Sequence, residues 1–267
     1  MTDDYLLGHD DIEWSRLREQ HALWAPELLQ ILAEAGLTPN TRVLEVGCGT
    51  GELLADLAER SGEAVGLERD TRAAAHAARR LDGRATVHTG DLMEWEPDDR
   101  FDLVVARWVF CFLPDPATAA ARLAAWVRPG GALVIQDYNH DGIRVFPEHP
   151  PITRCVEGFR AAWRALDFDL WVAPALPRML MDAGLSSVSV TPQIKAGPPG
   201  SAAWRWVERF LHEHIGTVVD GGHLSAVERD AFVQAWAEAK ADPATLLFTP
   251  IQLTVVASEG RTAAATR

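Results

Sequence analysis

An open, doubly wound α/β sheet is the fold class the sequence predicts, most clearly over its first 140 residues. Three observations predict it. Short apolar runs alternate with stretches of helical periodicity, the pattern of βαβ units. Those runs are nearly continuous in apolar residues, as strands covered on both faces must be. The first run also leads straight into a glycine-rich turn that opens a helix, and in such sheets ligands bind at the carboxyl ends of the strands.

The elements follow in order. Asp10 or Asp11 can cap a first helix, with Ile12, Leu17, Trp24, Leu28 and Leu32 at helical spacing. Glu27 to Ala35 has high helix propensity and Gly36 is a stop. Thr41 to Val46 reads as a buried strand and Glu52 to Arg60 as a helix with Leu53, Leu54 and Leu57 on one side. Ala64 to Leu67 is a second strand, ending in Glu68. Thr71 to Leu81 is an alanine-rich helix, Ala85 to Thr89 a third strand and Phe101 to Ala106 a fourth. Asp115 and Pro116 open a helix that runs to about Val127, by N-cap and first-turn proline. Pro129-Gly130-Gly131 turns the chain into a fifth strand, Ala132 to Gln136. Beyond it, Ile152 to Leu166 and Pro174 to Ala183 read as helices and Ser186 to Thr191 as a strand. Residues 196–200 read as a linker. Two helices follow, Ala202 to Ile215 and Ala226 to Lys240, the second opened by the capping box Ser225-x-x-Glu228. Ile251 to Ala257 is the last strand, and the tail after Glu259 is small and polar.

Composition bounds the partners. The chain has 267 residues, is 48% hydrophobic and carries a formal charge of −13. That suits a real core and disfavours nucleic acid and anionic membranes. No apolar stretch has the length of a membrane span, and Met1-Thr2-Asp3-Asp4 lacks the layout of a secretion signal, so a cytoplasmic protein is expected. Cys48, Cys111 and Cys155 are far apart and read as reduced thiols. His212 and His214 face different ways on a helix, so no metal is expected.

The chemistry centres on Glu45-Val46-Gly47-Cys48-Gly49-Thr50-Gly51. Alternate glycines let the backbone take positive φ and approach a ligand, and the next helix offers free N–H groups to a carboxylate. Glu68 ends the next strand about 20 residues on, where a carboxylate can grip ribose hydroxyls. A dinucleotide fingerprint needs glycine at position 52, and Glu52 stands there. Asp91, at the third strand end, can accept a hydrogen bond from an exocyclic amine.

These residues resemble the class I S-adenosylmethionine methyltransferases, over about residues 40–140. Glu45-x-Gly47-x-Gly49-x-Gly51, Glu68 with Arg69, Gly90-Asp91-Leu92, Phe101-Asp102-Leu103-Val104-Val105 and Val127-Arg128-Pro129-Gly130-Gly131 match the family's motifs in order. The wider chain is similar to a bacterial subgroup acting on small molecules, through Tyr5-Leu6-Leu7-Gly8-His9, Arg16-Leu17-Arg18-Glu19-Gln20, Arg107 and Phe248-Thr249-Pro250. The resemblance implies a Rossmann-like sheet of seven strands with the last antiparallel. It further implies one domain: a helical lid over residues 1–36, a cofactor-binding core over 37–140 and a C-terminal half over 141–259. That half carries a helical cap at about 195–243, and 260–267 form a flexible tail. S-adenosylmethionine is the implied cofactor, with Gln20, Glu45, Gly47, Gly49, Gly51, Glu68, Arg69, Asp91, Leu92 and Arg107 as its binding residues.

The acceptor is expected to be a small, aromatic or indole-like metabolite of secondary metabolism, because aromatic residues crowd the segments facing the methyl group. Tyr5, Trp108, Phe112, Tyr138, Trp204 and His214 are the candidate lining residues, and His214, Tyr5 and His140 the candidate bases. His9 is a further basic candidate. A base is needed only if the acceptor must lose a proton. A monomer or a homodimer is expected. A nicotinamide oxidoreductase and a non-enzymatic S-adenosylmethionine-binding module are the alternatives.

Overall fold

The computed structural model describes residues 11–259, and the side chains from Trp14 onward. Tyr5, His9 and the tail at 260–267 lie outside the described residues.

Helix α1 spans Asp11–Glu34 without a break, although Pro26 stands inside it. A proline there removes one backbone bond. Burial offsets the loss: Trp24, Leu28 and Leu32 are completely covered. Then come β1 (Arg42–Val46), α2 (Glu52–Arg60), β2 (Glu63–Glu68), α3 (Thr71–Leu81), β3 (Thr86–Thr89) and β4 (Phe101–Arg107). After these are α4 (Pro116–Ala125), with Asp115 capping Thr118 N–H, and β5 (Val127–Asn139). The turn expected at Pro129 is present, but as a bulge inside β5. Phe101 pairs with Val127 while Leu103 pairs with Ala132.

The second half contains β6 (Arg144–Phe146), α5 (Pro150–Ala165), α6 (Leu176–Asp182), β7 (Ser187–Gln193), β8 (Ala196–Gly197), α7 (Ala202–Asp220), α8 (Ala226–Ala241), β9 (Leu246–Phe248) and β10 (Ile251–Ser258). The main sheet has the order β3-β2-β1-β4-β5-β10-β7. β10 runs antiparallel to both its neighbours, as expected of the last strand. The other described pairings, β1 with β2 and β4, β2 with β3, and β4 with β5, are parallel. A second sheet, β6-β9-β8, was not expected. The linker read at residues 196–200 is a correction: Ala196 and Gly197 pair with Phe248 and Leu247. Strands this short show no periodicity, which is why the sequence conceals them.

Three apolar cores result. α4 and α6 cover one face of the main sheet, through Leu123, Leu176 and Leu180. α1, α2 and α3 cover the other, through Leu28, Leu32, Leu53, Leu57 and Leu81. The third lies among α5, α7 and α8 and takes in Trp163, Trp204, Trp206 and Trp236, with Trp24 of α1 docked on it. Much of the tryptophan content is therefore packing between helices. All three cysteines are free and buried.

Candidate functional site

The loop between β1 and α2 is built by backbone conformation. Gly47, Gly49 and Gly51 have φ of 68°, 54° and 79°. These are left-handed values that residues with a Cβ rarely adopt. At Gly47 a Cβ would also meet Val109 Cγ2 at 2.5 Å, and at Gly51 it would meet Ala77 Cβ at 3.0 Å. At Gly49 nothing lies within 4 Å, so this is the open side of the loop. Gly49 N–H donates to Glu68 Oε2 and Asp70 N–H to Glu68 Oε1, each at 2.8 Å. Glu68 thus ties the loop to the end of β2, and burial raises its pKa. Glu52, where a dinucleotide site wants glycine, is buried against Arg80 at 2.5 Å. At the end of β3, Asp91 Oδ1 accepts Met93 N–H at 2.8 Å, and Leu92 is buried. Arg69 is largely exposed, with its guanidinium 3.9 Å from Asp91.

A row of polar side chains crosses the sheet face beneath α1. Glu45 on β1 pairs with Val105, and Arg107, two residues further along β4, pairs with Gln136 on β5. Glu45 and Arg107 share one face because strand side chains alternate. Glu45 is buried and Arg107 half-buried, and the buried atoms Glu45 Oε2 and Arg107 Nη1 have no partner. Burial pushes the Glu45 carboxyl up to about 8. Arg107 Nη2 lies 3.1 Å from His21 Nδ1, and His21 Nε2 lies 3.0 Å from Asp56 Oδ2. A guanidinium only donates, so His21 accepts at Nδ1 and carries its proton at Nε2, toward Asp56. Burial and then the Arg107 charge hold its pKa down to about 4, so it is neutral at pH 7. Gln20 is buried between helices, its Oε1 accepting from Arg16 at 2.7 Å and from the Trp206 indole at 3.1 Å.

Beyond the ends of β4 and β5 the lining is aromatic. Trp108 has φ 56°, a sparsely populated conformation for a bulky residue. Its ring stacks on Tyr138 with centroids 6.0 Å apart, under the Arg107 guanidinium at 4.6 Å. Its indole N–H donates to Gln252 Oε1 at 2.7 Å. Tyr138 meets His140 edge-on at 5.9 Å. Burial holds His140 down to about 3, and its Nδ1 has no partner. The Arg160 guanidinium donates to its carbonyl. Asp137, completely buried, accepts Phe110 N–H and Tyr138 N–H at 2.8 Å and Cys111 N–H at 3.2 Å. It thereby fixes the segment after β4.

The expected residues are only partly brought together. Trp108, Tyr138 and His140 form one chain of ring contacts. Phe112 packs edge-on against Phe168 at 5.1 Å, in the core on the α4 side. Trp204 is completely buried against Trp236, within the helical layer. His214 lies beside Phe210, with Nε2 unpartnered and its pKa lowered by burial and then by Arg16. His21, Asp56, Gln136, Asp137 and Gln252 went unread in the sequence. Gln136-Asp137 carried one signal, a polar pair closing an apolar strand at its ligand-binding end. Among the described residues, no cluster of metal-ligating side chains occurs and no helix is long and apolar enough to cross a membrane.

A family profile described as a methyltransferase domain matches residues 16–239. The trans-aconitate 2-methyltransferase of Rhizobium leguminosarum bv. trifolii is 36% identical over 108 residues, 40% of this chain and 42% of its own. The enzyme of that name from Deinococcus radiodurans is 29% identical over 208 residues, 72% of this chain and 77% of its own. The match therefore spans less than half of the first relative and about three quarters of the second. Among solved structures, phosphoethanolamine N-methyltransferase 2 of Haemonchus contortus superposes with a TM-score of 0.57 at 20% identity, over 88% of this chain and 52% of that one. YcgJ of Bacillus subtilis does so with 0.59 at 16%, over 87% and 97%. At such identities the likeness is one of fold.

Proposed function

Because the chain belongs to the methyltransferase-domain family, we propose that it moves a methyl group from S-adenosylmethionine to a small, flat acceptor lying against Trp108 and Tyr138. One observation carries the cofactor reading. Glu45 Oε2 and Arg107 Nη1 are a buried acceptor and a buried donor, both unpartnered, on one sheet face. Buried polar atoms are rarely left so. Together they complement the ammonium and carboxylate of an amino acid, which is the methionine end of that cofactor.

The remaining residues fit the same ligand. Gly49 leaves open space above the loop, Glu68 offers its remaining lone pairs to ribose hydroxyls, and Asp91 with the Leu92 N–H faces an adenine edge. His21 and Asp56 orient Arg107. Gln20 supports the helix that covers the row. In this reading residues 37–140 are the cofactor half, 1–36 a lid, and the helices of 141–259 a cap over the acceptor. When bound, S-adenosylmethionine supplies an electrophilic methyl on a sulfonium sulfur, which keeps the S–CH3 bonding pair and leaves as a neutral thioether.

For the acceptor, the protein contributes position and a dry, aromatic wall, which is where the rate of an in-line transfer arises. An acceptor N–H or O–H must also release its proton. His140, held down to about 3, is a weak base at pH 7; His214, its pKa also lowered by burial and then by Arg16, is the other candidate base among the described residues. A second reading starts from the relatives' names: an anionic, trans-aconitate-like acceptor facing the buried Arg16.

The test supplies methyl-labelled S-adenosylmethionine with indole, a phenol panel or trans-aconitate and reads product mass. A labelled aromatic product is expected. Label in trans-aconitate alone would replace the flat acceptor by the anionic one. Failure of S-adenosylhomocysteine to bind in calorimetry would remove the whole reading.

A further inference from the structure

The polar row does not stop at Arg107. Gln136 on β5 is 1% exposed and Gln252 on β10 is 0% exposed. Gln252 pairs with Tyr138 and Gln136 with Thr254, so the two glutamines sit diagonally on one face. Trp108 fixes the amide of Gln252, and Gln193 with Thr254 takes the amide nitrogen of Gln136. An indole can only donate, so Trp108 holds Gln252 with Oε1 toward itself, and Nε2 is left without a partner. Gln136 directs Nε2 to Gln193 Oε1 at 2.7 Å and to Thr254 Oγ1 at 2.9 Å, and Oε1 is left without a partner.

We infer that Gln136 Oε1 and Gln252 Nε2 form an acceptor subsite that recognises a neutral, planar lactam or amide edge. The lactam N–H donates to Gln136 Oε1, and its carbonyl accepts from Gln252 Nε2. An ionised carboxylate offers only acceptors, so one of its oxygens would face the Gln136 carbonyl. The Trp108–Tyr138 stack beside Gln252 supplies the flat wall. The subsite therefore disfavours a tricarboxylate of the kind for which the relatives are named. Its natural competitor is a buried water, since waters of this kind bridge such groups.

This inference rests on the methyl-transfer reading, and the experiment keeps the two apart. The full chain is saturated with S-adenosylhomocysteine and titrated with 2-quinolinone, with coumarin, which keeps the carbonyl and lacks the N–H, and with trans-aconitate. The expected result is binding of 2-quinolinone about tenfold or more tighter than either of the others. Gln252→Glu keeps an oxygen for Trp108 but replaces the free donor by a lone pair. Gln136→Met removes the free acceptor. Either variant should abolish the preference while S-adenosylhomocysteine affinity reports that the fold stands. Equal binding of the three probes, preference for trans-aconitate, no binding of 2-quinolinone, or an unchanged preference in both variants overturns the subsite alone. So does a liganded crystal structure with water kept between the two amides. Loss of S-adenosylhomocysteine binding by the unaltered chain overturns the methyl-transfer reading as well.

Discussion

The two sides of the sheet's ligand edge are made of different material. Around β1, β2 and β3 the site is backbone: three left-handed glycines, and loop N–H groups clamped by Glu68. Around β4, β5 and β10 it is side chain: buried carboxylate, guanidinium and amides, several with an unmet atom. Backbone sites accept one ligand shape and persist unchanged while side chains around them vary. Side-chain sites respecialise by substitution. The difference teaches how one sheet edge can hold a rigid backbone site beside an adaptable side-chain one.

The contrast can be broken or sharpened by substitution. The largest effect is expected on the side-chain half. Asp137→Ala strands two buried N–H groups, at Phe110 and Cys111, with the half-buried one of Tyr138, and should cost about 3–5 kcal/mol in urea unfolding. A loss below about 1 kcal/mol would show that backbone, and not Asp137, holds the segment after β4. Next comes the loop. Gly47→Ala combines positive-φ strain with the Val109 clash and should cost about 2–4 kcal/mol, whereas Gly49→Ala carries strain alone, about 1–2 kcal/mol. Equal shifts in thermal unfolding would mean that Val109 gives way.

Glu68→Ala should weaken S-adenosylhomocysteine binding by about 1.5–3 kcal/mol, or roughly 10- to 100-fold, in calorimetry. Unchanged affinity would sink the ribose assignment. The smallest effect concerns Glu45. Its carboxyl, at about 8 in the folded chain against an ordinary 4.5, is protonated at pH 7. Its contribution to stability is present below pH 4.5 and lost as pH rises toward 8, because the unfolded chain ionises first. An ammonium partner requires the ionised form. Calorimetry at pH 7 in buffers of different ionisation enthalpy should therefore show a proton released on binding, and Glu45→Gln should abolish it.

The same contrast explains what was legible beforehand. The glycine loop, Glu68 and Asp91 each sit at the end of a continuous segment, so order along the chain sufficed. Helices α2, α3, α4 and α8 announced themselves by caps and periodicity, Asp115 and Ser225 foremost. The row Glu45, Arg107, Gln136, Gln252 is contiguous only through strand register. No local pattern marks it, because each member reads singly as an ordinary polar interruption of a strand. His21 was hidden for another reason: a helical histidine reveals no partner until α2 delivers Asp56. The tryptophans misled by number, since Trp204 and Trp236 pack on each other.

One feature of the sheet bears on how the molecule comes into being. β10 lies between β5 and β7, so the last of the described strands is an interior one. On a ribosome, the loop of Gly47–Gly51 and its Glu68 clamp emerge early and are complete among themselves. Trp108 and Tyr138 wait for Gln252, more than a hundred residues later in synthesis. Until β10 threads between its neighbours, β7 has no place in the sheet and the amide pair does not exist. The glycine loop is thus complete long before the amide pair can form.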